Sequence, residues 1–208
     1  MVQSRRWFIV ILSIAAAGGF AVALLSRPPR APVELATGNL ILPSRALPDF
    51  SLIDDHGRDF GPRNLRGHWS ILFFGYTNCP DYCPTTLATL AAMQKRLRAA
   101  NSAALPQVIF ISVDAKRDTP AQLAKYVPYF DSEFIGLTAS DQQSIEAVAK
   151  KWGVAVLVHP SQDGNYTVDH SAQLFVLDPS GRVAAILTGP FTAAALQGDF
   201  HRIVAAGA

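Results

Sequence analysis

The chain has two cysteines, Cys79 and Cys83, with three residues between them and a proline after each: Cys79-Pro80-Asp81-Tyr82-Cys83-Pro84. Two thiols this close can share a soft metal ion, exchange electrons with a partner's disulfide, or close a small clip. They cannot staple distant parts of a fold. Half of the 208 residues are hydrophobic, enough for an ordinary core without disulfide scaffolding. A clip this small also constrains little of the unfolded chain. Metal binding and thiol–disulfide chemistry are left as the readings of the pair.

The prolines restrict the local backbone. A residue before proline is pushed out of the helical region, and proline itself suits the first position of a helix. The spacing predicts Cys83 near an N-cap and Pro84 as the first helical residue. Leu87, Leu90, Met93 and Leu97 then continue at helical intervals. Two cysteines on one helix face would have β-carbons about 5–6 Å apart, whereas a disulfide wants about 3.8 Å. A loop brings them closer. The positive end of a helix also favours thiolate over thiol, the form that binds metal and attacks disulfides.

Strands and helices alternate around this loop. Residues 50–53, followed by Asp54-Asp55-His56-Gly57, read as a short strand entering a turn. Residues 69–74 form a continuous apolar run, suited to a strand buried on both faces, and lead directly into the cysteines. Residues 107–114 are a second buried strand. Thr119-Pro120 opens a helix to about Phe130. Ser140 with Gln143 resembles a capping box, and Gly153 ends the helix that follows. Residues 154–158 read as a short strand. The runs 173–177 and 182–187 flank Asp178-Pro179-Ser180-Gly181 as a hairpin, and a last helix starts near Thr192. This order predicts an α/β domain with a mixed central sheet and helices on both faces.

The N-terminus is a separate object. Arg5 and Arg6 precede an uncharged apolar run over residues 7–25, about the length that crosses a bilayer. We read residues 1–25 as a membrane anchor held by its arginines on the cytoplasmic side. The alternative is a signal peptide cut after Ala21-Val22-Ala23. Residues 26–46, rich in proline and small side chains, read as a tether, and residues 47–208 as the folded domain. Either reading of the N-terminus places that domain outside the cytoplasm, where disulfides persist. The first thirty residues hold four of the 18 basic side chains and no acid, which leaves 14 basic against 16 acidic residues. A mildly acidic domain excludes nucleic acid as an expected partner.

A strand, a cysteine loop and a helix in succession is the layout of the thioredoxin active site, although thioredoxin itself spaces its cysteines by two. The segment 74–85, Phe-Gly-Tyr-Thr-Asn-Cys-Pro-Asp-Tyr-Cys-Pro-Thr, resembles the signature of the Sco/SenC family of copper-delivery proteins. Ser112-Val113-Asp114-Ala115-Lys116-Arg117-Asp118-Thr119-Pro120 is similar to that family's second block. Tyr166-Thr167-Val168-Asp169-His170-Ser171 is similar to its histidine block. The resemblance spans residues 47–187. Asn78, Tyr82 and Ala115 depart from the residues frequent in the family, and no departure removes a ligand.

The resemblance implies a thioredoxin-like fold and one copper ion, as Cu(I) or Cu(II), held by Cys79, Cys83 and His170. It implies delivery of that ion to the binuclear copper site of a cytochrome c oxidase subunit, with an upstream copper donor. The alternative it implies is reduction of that site's cysteines, with Cys79 and Cys83 as the redox pair. A short N-terminus without a transit peptide favours a bacterial inner membrane with the domain in the periplasm. Thiolate and imidazole suit copper, whereas structural zinc usually takes four ligands. Asp169 is a candidate orienting partner of the His170 imidazole, or else simply faces water. Asp114 is a candidate for a part in metal or redox behaviour, or else a strand-end partner of Lys116 or Arg117. His56, His68, His159 and His201 read as surface histidines. A peroxidase is disfavoured, since Leu72 and Tyr76 stand where the Pro and Thr of Pro-x-x-x-Thr-x-x-Cys would be.

Overall fold

The computed structural model describes residues 33–160 and 166–207. Among these no helix is long and apolar enough to cross a membrane; the span expected at residues 7–25 lies outside the described residues. The strands are β1 (Gly38–Ala46), β2 (Leu52–Asp54), β3 (Asp59–Phe60), β4 (Ser70–Gly75), β5 (Gln107–Ser112), β6 (Ile135–Thr138), β7 (Val156–Pro160), β8 (Tyr166–His170), β9 (Leu174–Leu177) and β10 (Arg182–Leu187). The helices are α1 (Tyr82–Ala99), α2 (Pro120–Tyr126), α3 (Gln142–Lys151) and α4 (Ala193–Ala206).

Eight strands form one sheet in the order β1-β10-β9-β4-β5-β6-β2-β3. β4, β5 and β6 are parallel, and the remaining neighbours are antiparallel. Every residue of β4 is buried, as its unbroken apolar run requires of a strand covered on both sides. Successive side chains alternate between faces. Phe73 therefore meets Phe110 and Tyr82, while Phe74 meets Trp152 and Phe175. The two parallel crossovers run through α1 and α2 in the same direction, which places both helices on the Phe73 face. α4 packs beside α1 there, with Phe200 against Trp69. α3, ending at Trp152, covers the Phe74 face. Helices lie on both faces, as expected.

Several boundaries differ from the sequence reading. The tether expected over residues 26–46 contains β1, whose partner is β10. Its proline-rich composition hides a strand at the sheet's edge, where a missing amide is tolerated. Buried Asp199 of α4 ties down the approach to β1, accepting from the amides of Ala36 and Thr37 at 2.8 Å each and from the Thr37 hydroxyl at 2.7 Å. β6, not foreseen, continues the parallel set. α3 is capped one residue later than expected: Asp141, not Ser140, accepts the Ser144 amide at 2.8 Å.

β7 and β8 form a two-stranded sheet apart from the main one. This hairpin carries His170.

Candidate metal centre

β4 delivers the chain to the cysteine loop at its C-terminal end. Gly75, its last residue, leaves no room for a side chain: a Cβ there would lie 2.5 Å from Cε2 of Phe110 and 2.9 Å from Sγ of Cys83. The Cys83 sulfur thus packs against bare backbone. The next residues are held by Asp118, fully buried beyond β5, which accepts from the Thr77 amide at 2.8 Å, the Thr77 hydroxyl at 2.6 Å and the Ser112 hydroxyl at 2.6 Å. Asp118 lies inside the second of the matched sequence blocks, where no local pattern signals this task.

α1 begins two residues sooner than the prolines suggest. Asp81 is the N-cap, Tyr82 and Cys83 are already helical, and Pro84 is the third helical residue. Cys83 is helical despite the pre-proline bias, and Pro84, in the first turn where amides have no intrahelical partner, forfeits no bond there. Cys79 stays in the loop. The Cys83 amide donates to the Cys79 sulfur at 3.4 Å, and both thiols are free. Cys79 is half-buried and Cys83 is fully buried.

Burial pushes the Cys83 thiol far above its ordinary range, with the neighbouring Cys79 and Asp118 adding to the rise. The expected preference for thiolate at the helix N-terminus is therefore outweighed at Cys83. A cation binding there must displace a proton.

His170 lies at the far end of β8. Its Nδ1 is 3.1 Å from the Ser171 carbonyl. A carbonyl oxygen can only accept, so Nδ1 carries the proton and Nε2 presents its lone pair. That Nε2 is 3.4 Å from Sγ of Cys83, and in the metal-free protein the thiol donates to it. Burial holds the imidazole below its usual range, keeping it neutral. Phe73 and Tyr76 stand edge-on to the ring, each with centroids 6.1 Å away. The structure thus brings Cys79, Cys83 and His170 to one place from positions 87 residues apart in the case of Cys83 and His170.

The donor set fits a soft ion. Bonds of about 2.0 Å to nitrogen and 2.3 Å to sulfur let one ion span the 3.4 Å between Nε2 and the Cys83 sulfur at an angle of about 100°. The third donor stands wider. Among the described residues, Asp54, Asp55 and His56 are the three-donor group with all atoms within 4.8 Å. Cys79, Cys83 and His170 are therefore more open along at least one edge, and Cys79 is the thiol donor on the loop rather than on α1. The Asp54 group is otherwise occupied. Asp54 accepts from the amides of His56 and Arg58 and from the Arg58 guanidinium, and Asp55 accepts the Gly136 amide.

The two candidate carboxylates part company. Asp169 does not touch His170. Adjacent residues on a strand face opposite ways, and Asp169 points outward to His159, with Oδ2 2.8 Å from Nε2; the Ser171 carbonyl does the orienting instead. Asp114 is buried and accepts from Arg117 and, at 2.6 Å, from the Tyr166 hydroxyl. It is the partner of Arg117 and also reaches the hairpin. Tyr76 and Tyr82 both pack and shield: with Cys79, Pro80, Asp81 and His170 they line an open pocket of about 510 Å³ above the thiols.

The family model described as SCO1/SenC matches residues 40–205. A SCO2-like protein of Rickettsia felis is 36% identical over 181 residues, covering 84% of this chain and 85% of that one. The copper-bound crystal structure of Arabidopsis thaliana ScoI superposes with a TM-score of 0.72 at 34% identity, over 76% of this chain and 98% of that one. Copper-bound Bradyrhizobium japonicum ScoI gives 0.67 at 34% identity, over 76% and 99%. Fold, cysteine loop and histidine hairpin lie within the matched residues, and the chain belongs to the SCO1/SenC family.

Proposed function

We propose that this protein binds one copper ion as cargo through Cys79, Cys83 and His170 and passes it to the copper site of a cytochrome c oxidase subunit. The observation that carries the reading is the pairing of the Cys83 sulfur with a His170 nitrogen whose lone pair is set free by its Ser171 bond. Relatives solved with copper bound supply the ion's identity. Buried Cys83 forms the fixed part of the site, and half-buried Cys79 at the pocket wall, with His170 on the separate hairpin, the part open to exchange. A donor that faces the pocket lets an acceptor's ligand replace protein ligands one at a time, which suits an ion that must leave again. The apolar run at residues 7–25 supports an anchor in a bacterial inner membrane with the domain in the periplasm.

Copper titration of the reduced full chain tests this. One equivalent is expected, with Cys79→Ser, Cys83→Ser and His170→Ala each weakening it. A His170→Ala variant that holds copper as firmly as the parent overturns the three-ligand site. Membrane fractionation with external protease tests the placement: a domain that is protected in spheroplasts refutes it.

A second reading, thiol–disulfide reduction, is favoured by the asymmetry of the pair. The exposed Cys79 sulfur accepts an amide hydrogen at a helix start, while Cys83 lies behind it. As thiolate, Cys79 would attack a partner's disulfide, forming a mixed disulfide and releasing one partner thiolate. Cys83, losing its proton, would then attack the Cys79 sulfur and release the second. The pair is oxidised by two electrons and the partner reduced by two. A Cys79–Cys83 potential too oxidising to reduce a glutathione-poised partner excludes this reading.

A further inference from the structure

Among the described residues, the hairpin that brings His170 to the cysteines has no strand partner in the main sheet, so something else must fix its position. On β8 the inward face consists of Tyr166, Val168 and His170, two residues apart each time. Val168 is buried among apolar neighbours. His170 stands at one end, and Tyr166, about 13 Å away along the strand, stands at the other. Tyr166 is gripped there. The Arg117 guanidinium lies over its ring at 3.6 Å from the centroid. Arg117 Nη1 donates to the Tyr166 carbonyl at 3.1 Å, and the Tyr166 hydroxyl donates to Asp114 at 2.6 Å. Arg117 Nε in turn donates to Asp114. Arg117 also faces Tyr76, whose ring abuts His170. Among the described residues its Nη2 is buried without a hydrogen-bond partner.

The same short turn serves both halves of the site. Asp114 accepts the Asp118 amide at 2.9 Å through its carbonyl, Asp118 holds the start of the cysteine loop, and Arg117 holds the hairpin. The geometry points to Arg117 as a positioning residue: with Tyr166 it clasps the end of the hairpin remote from the ligand, so that His170 Nε2 is presented to Cys83. This rests on the three-ligand copper reading for its consequence, and on the structure alone for the clasp.

The test uses the full chain as Arg117→Met, which removes charge and fork, and Arg117→Lys, which keeps the charge against Asp114 but loses the flat, bidentate surface. In the metal-free protein, amide hydrogen exchange at residues 156–160 and 166–170 should quicken while β4 and β5 stay protected. Copper affinity should fall about 10- to 100-fold, the range for groups that orient a metal ligand, more in Met than in Lys. The Cu(II) electron paramagnetic spectrum should move toward that of His170→Ala, which a merely structural lesion would not produce. Should the Met variant fail to fold, the Lys variant decides. Unchanged exchange overturns the clasp. Faster exchange with parental copper affinity and spectrum overturns its role in presenting His170. Faster exchange in a chain whose parent binds no copper leaves the clasp standing and refutes the copper reading instead.

Discussion

The cysteine loop and the histidine hairpin face each other across one pocket but are built to different standards. The loop leaves a strand buried at every residue, rests its inner sulfur against Gly75, and is pinned by two hydrogen bonds from Thr77 to buried Asp118, which a third from Ser112 ties to β5. The hairpin lies outside the eight-stranded sheet, with Leu157 60% exposed and Val158 46% exposed. Segments with few buried contacts open at lower free energy than core strands. The difference teaches how a site can hold a soft ion and still give it up: one wall is continuous with the core, and the other is held by a few polar contacts that a partner can compete with. Substitutions in the loop should therefore damage binding and stability together, and substitutions in the hairpin binding alone.

Cys83→Ser gives the largest separation between the two regions. Copper affinity should fall by more than the roughly 100-fold expected for an orienting residue. The fold should also lose about 1–3 kcal/mol, because a hydroxyl replaces a thiol at a fully buried position. His170→Ala should match the first effect and not the second, with thermal denaturation near the parental midpoint. Equal losses of stability in both variants would erase the contrast.

Gly75→Ala comes next. Its new methyl would meet Phe110 and the Cys83 sulfur inside contact distance, and overpacking of this kind costs about 1–3 kcal/mol. At about 2–4 °C per kcal/mol for a domain of this size, the midpoint should fall by several degrees. Copper binding should weaken with it, since the displaced atom is a proposed ligand. A variant with parental midpoint and affinity would show that β4 does not fix the sulfur.

Asp118 tests the loop's pin and adds a pH signature. Asp118→Ala strands the Thr77 and Ser112 donors, at about 1–3 kcal/mol. Burial raises the carboxyl above its ordinary value despite those donors. The folded chain then keeps a proton that the unfolded chain releases, so this group's contribution is full at low pH and falls as pH rises from about 3.9 toward the raised folded value. Asp54 and Asp131 are shifted the other way and oppose the trend. Subtracting the urea midpoints of Asp118→Asn from those of the parent isolates it. A difference that grows in the parent's favour with rising pH would contradict the assignment.

The same contrast explains what could be read in advance. Strong periodic patterns reported the core: the apolar run of β4, the Leu87–Leu97 stripe of α1, and the β9–β10 hairpin about its Pro/Gly turn all lie where composition placed them. The two cysteines announced themselves by number and spacing. His170 had no such signal. An imidazole on a short half-exposed strand looks like any surface histidine, and only resemblance to a family singled it out. β1 was concealed by tether-like composition, and β6 by being four residues long. Arg117, Asp118 and Tyr166 sat inside matched blocks, but their tasks depend on a long-range meeting of β5's turn with β8, which no local pattern encodes. Asp169 shows the converse limit: of its two readings the outward one fits, since neighbouring His170 in sequence places it on the opposite face of the strand.

The smallest predicted effect asks which end of the hairpin matters. Close to the ligand, the Tyr82 hydroxyl donates to the Ala172 carbonyl at 3.0 Å, from a side chain 39% exposed. Water can replace a bond this open, so its net worth sits at the low end of about 0.5–1.5 kcal/mol, and the ring's contact with Phe73 at 6.2 Å survives the loss of the hydroxyl. Tyr82→Phe should change copper affinity less than about threefold, since a tenfold change needs 1.4 kcal/mol. It should leave exchange at residues 166–170 nearly parental. If instead it loosens the hairpin as much as Arg117→Met does, the histidine is held from its own end of β8. The exposed tyrosine bond would then be the weaker wall's true anchor, exposed to any partner that docks over the pocket.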